Sequence, residues 1–370
     1  MVQGNLKEIE NLFRLMVKYK ASDLHLKVGS PPIMRISGKV GRLETEPYTN
    51  EKIRKMLYEI LDSSQIQQFE ESGDLDFAYG LAGVGRFRVN VFRQRGSISL
   101  ACRKVNIHIP NFQDLHLQAK AMERIANLKQ GLVIVAGATG SGKSTTLASI
   151  IEYINTHRRC HIVTIEDPIE YLYTDKKSFI NQREVGVDVR SFHVALKYVV
   201  RQDPDVILVG EMRDEETLEA ALQASETGHL VFGTLHSSDV ASTIGRILDL
   251  FPVDKEKQIR QSLAFNLRAI VCQKLLPSCR EGVNVVVAQE ILLCNPTAQK
   301  LIMEKQDKKL RELVRGATQE GMQDFNQSLV KLFKANLIDK KTALSASPNP
   351  EQLEMNLKGI YLGEDKGIIG

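Results

Sequence analysis

The feature that most constrains this chain is a glycine-rich loop placed between a buried strand and a helix. Residues 137–144 read Gly-Ala-Thr-Gly-Ser-Gly-Lys-Ser, which matches the pattern G-x-x-x-x-G-K-[ST]. An uninterrupted apolar run precedes the loop at residues 132–136, and apolar residues at helical spacing follow it from Leu147 to Ile154. Such a loop turns backbone N–H groups towards phosphate oxygens, and the positive end of the helix points to the same place. The motif therefore predicts a nucleotide-binding P-loop in an α/β domain.

The loop also indicates which side chains contact the nucleotide. Lys143 is expected to reach the β- and γ-phosphates, and the hydroxyl of Ser144 is expected to contact the Mg²⁺ that accompanies ATP. ATP and Mg²⁺ are thus the expected cofactors. The predicted ATP-binding residues are those of the loop and the first helical turn: Gly137, Ala138, Thr139, Gly140, Ser141, Gly142, Lys143, Ser144, Thr145 and Thr146.

Three more short apolar runs follow the P-loop. They lie at residues 162–165, 206–209 and 230–232, and segments with helical patterns separate them. Continuous apolar strands that alternate with helices are typical of a parallel sheet covered on both faces. From about Asp254 onward the chain has a mainly helical pattern, and a polar tail follows residues 345–350.

Acidic residues follow two of these predicted strands. Glu166 and Glu170 come after the run at residues 162–165, and Glu211 comes after the run at residues 206–209. Since ligands of an open parallel sheet bind beyond the carboxyl ends of its strands, carboxylates there are placed to activate a water near the γ-phosphate. Glu211 is the expected catalytic acid, with help from Glu166 and Glu170. Taken alone, each of these residues also fits a solvated acidic turn.

Two histidines bracket the last predicted strand. His229 precedes the apolar run and His236 follows it in the segment GHLVFGTLH. A single histidine is most often a structural residue, but their position at both ends of a strand in the P-loop sheet predicts that they respond to the phosphates.

The first hundred residues have the pattern of a small α+β domain. Apolar residues recur at helical spacing from Leu6 to Met16 and alternate with polar residues from Leu24 to Val28. Two further alternating segments lie at residues 86–91 and 98–102, and the first of them carries arginines on its polar side. The alternating pattern is interrupted at residues 106–111, where His108-Ile109-Pro110 occurs, and this interruption indicates a linker.

Composition excludes several classes of protein. The 370 residues carry 49 Lys+Arg against 45 Asp+Glu, a net charge of +4 that is spread along the chain and not gathered as nucleic-acid binding requires. The five cysteines include no C-x-x-C pair, so neither a zinc site nor a disulfide framework is indicated. No stretch approaches the roughly 18 apolar residues of a membrane span. A cytosolic protein without bound nucleic acid is therefore expected.

The order of the motifs resembles that of a known family. The P-loop, TIEDPIEY, LVGEMRD and GHLVFGTLH are similar to the Walker A, Asp box, Walker B and His box of the type II/IV secretion ATPases. The early segments ASDLHLKVGSPP and GVGRFRVNVFRQ resemble the N-terminal domain of one group within that family, the retraction ATPases of type IV pili. The resemblance covers nearly the whole chain.

This resemblance implies an architecture. It implies a small PAS-like α+β domain over residues 1–107, a linker over residues 108–115 and a doubly wound RecA-like ATPase domain over residues 116–275. A helical C-terminal subdomain and tail would occupy residues 276–370. The family further implies a hexameric ring with ATP at the subunit interfaces. Arg88 and Arg103 are then expected to reach a neighbour's triphosphate, where an arginine supplied in trans accelerates phosphoryl transfer roughly 10³–10⁵-fold.

The implied function is ATP hydrolysis that drives pilus retraction and twitching motility. The motor would be a homo-hexamer at the cytoplasmic base of the pilus, acting on an inner-membrane platform protein, with His229 and His236 coupling phosphate state to domain rotation. Residues 297–302 read Thr-Ala-Gln-Lys-Leu-Ile where the PilT branch carries AIRNLI, and residues 321–327 resemble the PilU branch. This pattern favours an accessory motor that works beside a second retraction ATPase.

Three other functions fit parts of the sequence. A pilus-assembly or type II secretion ATPase has the same architecture, but the chain lacks the four-cysteine zinc motif that many assembly ATPases carry. A nucleotide-binding regulatory subunit is disfavoured by the presence of Lys143, Glu166 and Glu211. A DNA translocase is disfavoured by the mild charge and by the absence of tryptophan for base stacking.

Overall fold

The computed structural model describes residues 7–36 and 38–360. The described residues form two compact units, one that runs to His108 and includes Glu170–Leu172, and one that comprises Ile109–Ile169 and the chain from Tyr173 onward. The division after His108 falls within the predicted linker of residues 108–115. Leu6 of the predicted first helix and residues 361–370 of the predicted tail lie outside the described residues.

The first unit is an antiparallel sheet with three helices. Its elements are α1 (Glu8–Lys18), β1 (Ala21–Lys27), β2 (Ile33–Ile36), β3 (Lys39–Arg42), α2 (Asn50–Tyr58), α3 (Ser63–Ser72), β4 (Asp74–Leu81), β5 (Gly85–Gln94) and β6 (Ser97–Lys104). The strand order is β3-β2-β1-β6-β5-β4.

The core of this unit lies on one face of the sheet. Phe87, Val89 and Val91 of β5 are fully buried, whereas Arg88 between them is exposed. The ring of Phe87 stacks on that of Phe13 in α1, with centroids 4.5 Å apart. The alternation of apolar and polar residues along β5 and the helical spacing of apolar residues in α1 therefore reflect the same buried surface. The predicted strand and the predicted amphipathic helix are both confirmed.

The second unit contains the P-loop. Its strands are β7 (Gly131–Ala136), β8 (His161–Glu166), β9 (Phe179–Glu184), β10 (Val206–Val209), β11 (Leu230–Leu235), β12 (Leu267–Pro277) and β13 (Val285–Leu293). Its helices are α4 (Ala119–Ala126), α5 (Lys143–His157), α6 (Phe192–Val199), α7 (Glu215–Glu226), α8 (Val240–Leu248), α9 (Glu256–Asn266), α10 (Pro296–Met303), α11 (Leu310–Gly316), α12 (Phe325–Lys334), α13 (Lys340–Ala346) and α14 (Pro350–Leu357). Short 3-10 helices occur at Val253–Lys255, Asp307–Lys309 and Thr318–Glu320.

The strands of this unit form one seven-stranded sheet. Its order is β13-β12-β7-β11-β10-β8-β9, and β13 pairs antiparallel to β12 at one edge, while the other neighbours are parallel. Every residue of β7, β10 and β11 is buried, which explains their uninterrupted apolar sequences. The predicted parallel sheet is confirmed. Among the described residues, no helix is both long enough and apolar enough to cross a membrane.

The expectation of a mainly helical chain from Asp254 onward is wrong for β12 and β13. Ala269, Ile270 and Val271 are completely buried between β7 and β13. A strand that is buried on both faces has no alternating pattern, so periodicity alone does not separate it from a buried helix. The sheet of the P-loop domain therefore extends beyond the predicted boundary at residue 275.

Candidate active site

The chain connections at β7 and β11 create a crevice. From β7 the chain passes through α5 to β8, whereas from β11 it passes through α8 and α9 to β12, on the other side of β7. Right-handed crossovers place these two connections on opposite faces of the sheet, so the loops after β7 and β11 diverge. Open α/β sheets bind ligands at this position, beyond the carboxyl ends of the strands.

The P-loop follows β7 at this crevice. Gly137 has a φ of 155°, and a Cβ there would lie 2.4 Å from Oγ of Ser141 and 2.7 Å from the carbonyl oxygen of Gln273, so only glycine fits. Nζ of Lys143 donates to the carbonyl oxygens of Gly137 at 2.8 Å and Ala138 at 3.1 Å, which keeps its ammonium group within the loop.

Two features of this loop fit a phosphate ligand. Helix α5 begins at Lys143, directly after the loop, so its free backbone N–H groups and its positive end face the crevice. The buried Oγ of Ser141 has no hydrogen-bond partner among the described residues, although buried polar atoms normally have one. Ser144 is exposed on the first turn of α5, where its hydroxyl is available to a ligand.

Thr146 has a structural contact that the sequence did not predict. Its side chain is fully buried, and its hydroxyl accepts a hydrogen bond from Nε2 of Gln273 in β12 at 2.9 Å. The threonine therefore joins α5 to the sheet. Gln273 itself was missed, because the segment that carries it patterned as helix.

Glu211 is held between Arg213 and His236 at the carboxyl end of β10. Its Oε2 accepts a hydrogen bond from Nη2 of Arg213 at 2.7 Å, and its Oε1 lies 3.0 Å from Nε2 of His236. His236 is the first residue after β11, so this contact joins the loops of two neighbouring strands. Arg213 was not predicted as a site residue, although it lies two residues beyond Glu211 and is the nearest cation in the sequence.

These neighbours keep the carboxyl of Glu211 ionised. Burial raises its pKa, but the hydrogen bond and charge of Arg213 outweigh this effect, and the charges of His236 and Lys143 act in the same direction. The net result is a pKa below the ordinary value for glutamate. The carboxylate is therefore a hydrogen-bond acceptor at neutral pH, and Lys143 of the P-loop lies close enough to influence it.

Glu166 ends the neighbouring strand β8. Its Oε1 accepts hydrogen bonds from Oγ1 of Thr164 at 2.6 Å and Nε2 of Gln182 at 3.2 Å. A Cβ at Gly210 would lie 3.3 Å from Cα of Glu166, which is tighter than most such contacts. The close approach of the two strand ends thus accounts for a glycine before Glu211.

Thr234 supports the loop that carries Glu211. Its Oγ1 donates to the carbonyl oxygen of Gly210 at 2.6 Å, and its own carbonyl oxygen accepts from the N–H of Met212 at 3.0 Å. The two residues that flank Glu211 are therefore attached to β11 just before His236. The apolar pattern of β11 did not distinguish Thr234 from the other buried residues of the strand.

His229 lies at the end of β11 opposite to the P-loop, so the expectation that it is near the phosphates is wrong. It precedes β11, and its carbonyl oxygen accepts from the N–H of Gly131 at the start of β7. Six residues of β11, or roughly 20 Å of strand, separate it from the end that carries His236. Its Nδ1 lies 2.9 Å from the carbonyl oxygen of Ala224. Only one of the two histidines belongs to the site.

Glu170 is not grouped with the P-loop either. It belongs with Tyr171 and Leu172 to the first unit, where its carbonyl oxygen accepts from the N–H of Asn106 at 3.2 Å. Its side chain is exposed. Of the three predicted acids, Glu166 and Glu211 are thus the two that the second unit brings together.

Arg88 and Arg103 form a charged row on the sheet of the first unit. They lie directly opposite each other on β5 and β6, and Arg103 pairs in turn with Asp23 of β1. Nε of Arg103 donates to Oδ1 of Asp23 at 2.8 Å, while 74% of its side chain stays exposed. Both arginines are therefore accessible on the face of the sheet that does not form the core.

The sequence and the fold match known proteins. Residues 86–314 match the family model described as "Type II/IV secretion system protein". The chain is 39% identical to the type IV pilus ATPase PilU of Pseudomonas aeruginosa, over 95% of this chain and 91% of that protein. It is also 39% identical to the type IV pilus retraction ATPase PilT of the same organism, over 93% of this chain and 99% of that protein.

A solved structure agrees with these relatives. The crystal structure of the pilus retraction motor PilT with bound ADP superposes with a TM-score of 0.86 at 47% identity, over 95% of this chain and 99% of that chain. The ATPase DotB of Legionella pneumophila superposes with a TM-score of 0.73 at 25% identity. The family match covers most of the chain and the relatives span nearly all of it, so the chain belongs to the type II/IV secretion system protein family.

Proposed function

We propose that this protein is an ATP-hydrolysing motor that retracts type IV pili. The observation that carries the proposal is the Glu211 carboxylate, held by His236 and Arg213 beside the lysine of the P-loop. The similarity to PilT and PilU over nearly the whole chain supports the choice of pilus retraction among the functions of the family.

ATP binding is assigned to residues 137–146 in the second unit. The close approach at Gly137 leaves the backbone of the loop bare, so phosphate oxygens can reach its N–H groups. Lys143 already lies within the loop, and the unpaired hydroxyl of Ser141 supplies a further donor. Mg²⁺, held by Ser144 and the phosphates, would neutralise charge that develops on the γ-phosphate.

Hydrolysis is assigned to Glu211 with support from Glu166. A carboxylate whose pKa lies below its ordinary value orients a water through a hydrogen bond at neutral pH. His236 contacts the same carboxylate from the next strand, so a change at the phosphates can pass to β11 through this contact. The roles of Glu170 and His229 are not part of this assignment.

The assembled motor is proposed to be a hexameric ring. The antiparallel first unit is consistent with a PAS-like domain, and the parallel sheet with a P-loop after a central strand is consistent with a RecA-like domain. Arg88 and Arg103 are proposed to reach the ATP of a neighbouring subunit, and their exposure supports this role. The ring would act on an inner-membrane platform protein from the cytoplasmic side.

An accessory role is proposed from α10. The residues that differ from the AIRNLI motif include Thr297 and Lys300, which are exposed, whereas Ala298 and Ile302 are fully buried. The helix thus differs from the motif both in its exposed surface and in the smaller buried side chain of Ala298, and the changed surface favours a changed partner such as a second retraction ATPase.

Two measurements test the proposal. Purified Lys143→Ala and Glu211→Ala proteins are expected to lose Mg²⁺-dependent ATPase activity by at least about 10²-fold, while Glu351→Gln on the exposed face of α14 keeps it. Lys143→Ala should weaken ATP binding, whereas Glu211→Ala should retain it. In cells, each inactive variant should reduce pilus retraction. Wild-type turnover by Glu211→Ala would refute the catalytic assignment, and unchanged retraction in cells that lack the protein would refute the biological one.

A further inference from the structure

A buried glutamate lies outside the site described above. Glu290 of β13 is 5% exposed, and its Oε2 accepts a hydrogen bond from the N–H of Val240 at 2.8 Å. Val240 is the first residue of α8, so this N–H has no acceptor within its own helix. A carboxylate at the start of a helix also interacts favourably with the helix dipole. Glu290 therefore anchors α8 to the sheet.

The segment that precedes α8 is short and well ordered by hydrogen bonds. Oγ of Ser237 lies 2.6 Å from Oγ1 of Thr243, and Oδ1 of Asp239 accepts from the N–H of Ser242 at 2.9 Å. Both contacts tie the segment to α8. The position of α8 consequently sets the position of this segment.

His236 lies at the other end of the same segment. Three residues separate it from Val240, and its Nε2 lies 3.0 Å from Oε1 of Glu211. A continuous series of contacts thus leads from Glu290 through the start of α8 to the imidazole of His236. A small displacement of α8 would change the distance between His236 and Glu211.

We propose that Glu290 is a positioning residue for ATP hydrolysis, which holds His236 against Glu211 by anchoring the start of α8. The inference rests on the proposed roles of Glu211 and His236. The hydrogen bond of the Glu290 side chain goes to Val240, and not to either of these residues or to the P-loop.

The charge of Glu290 depends on the groups that surround it. A cavity of about 370 Å³ adjoins the carboxyl and is lined by Asp239 before α8, Lys274 of β12, Arg311 and Arg315 of α11, and Asp324 before α12. Cys272 of β12 pairs with Glu290 in register. Burial raises the pKa of Glu290 to about 7, and the charges of Asp239 and Asp324 act in the same direction, while the Val240 N–H and Arg311 lower it.

The anchor is therefore expected to strengthen as pH rises through neutrality. An ionised carboxylate accepts a stronger hydrogen bond from Val240 than the neutral acid does. His236 is then held more firmly above pH 7 than below it. We expect kcat to rise by about tenfold across this range, the factor that corresponds to exchanging a neutral hydrogen bond for a charge-assisted one.

The experiment compares the dependence of kcat on pH in full-length variants with Mg²⁺-ATP as substrate. Glu290→Gln keeps an oxygen that accepts from Val240 but does not titrate, so the rise near pH 7 should disappear while KM stays within about twofold. Gln289→Leu is the matched control, because Gln289 is the neighbouring buried residue of β13 and should affect folding without removing the rise. A rise that persists in Glu290→Gln, or one that vanishes in Gln289→Leu, would overturn the proposal.

A second pair of variants leaves Glu290 in place and keeps the test decisive if Glu290→Gln does not fold. Asp324→Asn removes a negative charge near Glu290 and retains a good helix cap, so the rise should move to lower pH. Arg311→Gln removes a positive charge, so the rise should move to higher pH. Shifts in the same direction, or no shift in either variant, would contradict the inference.

The parallel Glu211→Ala variant separates the two levels of the proposal. If Glu211→Ala is inactive and Glu290→Gln has the wild-type profile, only the role of Glu290 is refuted. If Glu211→Ala retains wild-type turnover, the catalytic assignment and the inference built on it both fail.

Discussion

Nε2 of His236 lies 3.0 Å from Oε1 of Glu211, and this contact joins the ends of β11 and β10 at the candidate site. The same carboxylate is held on its other oxygen by Arg213 at 2.7 Å. Each carboxylate oxygen of Glu211 therefore has its own partner, Arg213 on the same loop and His236 on the loop after β11. The position of the carboxylate depends on both partners.

Removal of Arg213 should change the pH dependence of hydrolysis. The charge of Arg213 lowers the pKa of Glu211, so in Arg213→Ala this pKa rises and the acid limb of the kcat/KM profile moves to higher pH. The side chain of Arg213 is 71% exposed, so solvent screening keeps this shift small. Arg213→Lys should retain most of the wild-type profile. An acid limb that stays in place in Arg213→Ala would show that Glu211 does not set it.

Replacement of Glu290 should stabilise the protein at alkaline pH. The folded-state pKa of about 7 lies above that of an unfolded glutamate, so the wild-type free energy of unfolding falls as pH rises from about 4.3 to about 7. Glu290→Gln does not titrate and escapes this loss. Its free energy of unfolding should exceed that of the wild type by more at pH 8 than at pH 5, with an upper limit of about 3 kcal/mol on the change between the two pH values, and thermal unfolding at both pH values measures it. A difference that is the same at both pH values would mean that Glu290 does not titrate in this interval.

Mixed rings should reveal whether Arg88 and Arg103 act between subunits. Lys143→Ala subunits keep both arginines, and Arg88→Ala/Arg103→Ala subunits keep an intact P-loop. If the arginines act in trans, mixing two inactive proteins restores ATPase activity in part, because some intact P-loops meet intact arginines. The composition of the rings is checked by differential tagging. If mixed rings stay inactive, the two arginines act on the ATP of their own chain or serve only as surface charge.

The surface of α10 should affect retraction more than ATP turnover. Grafting AIRNLI onto residues 297–302 changes exposed positions and replaces the small Ala298 by isoleucine in the core, so ATPase activity should stay within a few-fold of wild type once folding is confirmed. Deletion of the protein should reduce the frequency or force of retraction and leave some events, as recorded by microscopy of labelled pili. Complete loss of retraction, with the other retraction ATPases intact, would indicate a primary motor.

Local sequence determined the elements that carry the site. The P-loop at residues 137–144, the buried runs that form β7, β10 and β11, and the acid after β10 each have a pattern within a few residues. Within this loop, Gly137 must accept a φ of 155°, and Lys143 begins helix α5 six positions later. The alternation of apolar and polar residues in β5 likewise indicates which of its side chains are buried, because successive side chains of a strand point to opposite faces.

Only the tertiary structure decided which of these residues meet. The parallel order of β7, β11 and β10 gathers their carboxyl ends, and so it brings His236 to Glu211 and leaves His229 at the amino end of β11. β12 was not recognised as a strand because burial on both faces removes the alternation, and with it Gln273 was missed. The contact of Glu290 with Val240 spans fifty positions of sequence, and no local pattern encodes a hydrogen bond between residues that only the packing of α8 on the sheet brings together.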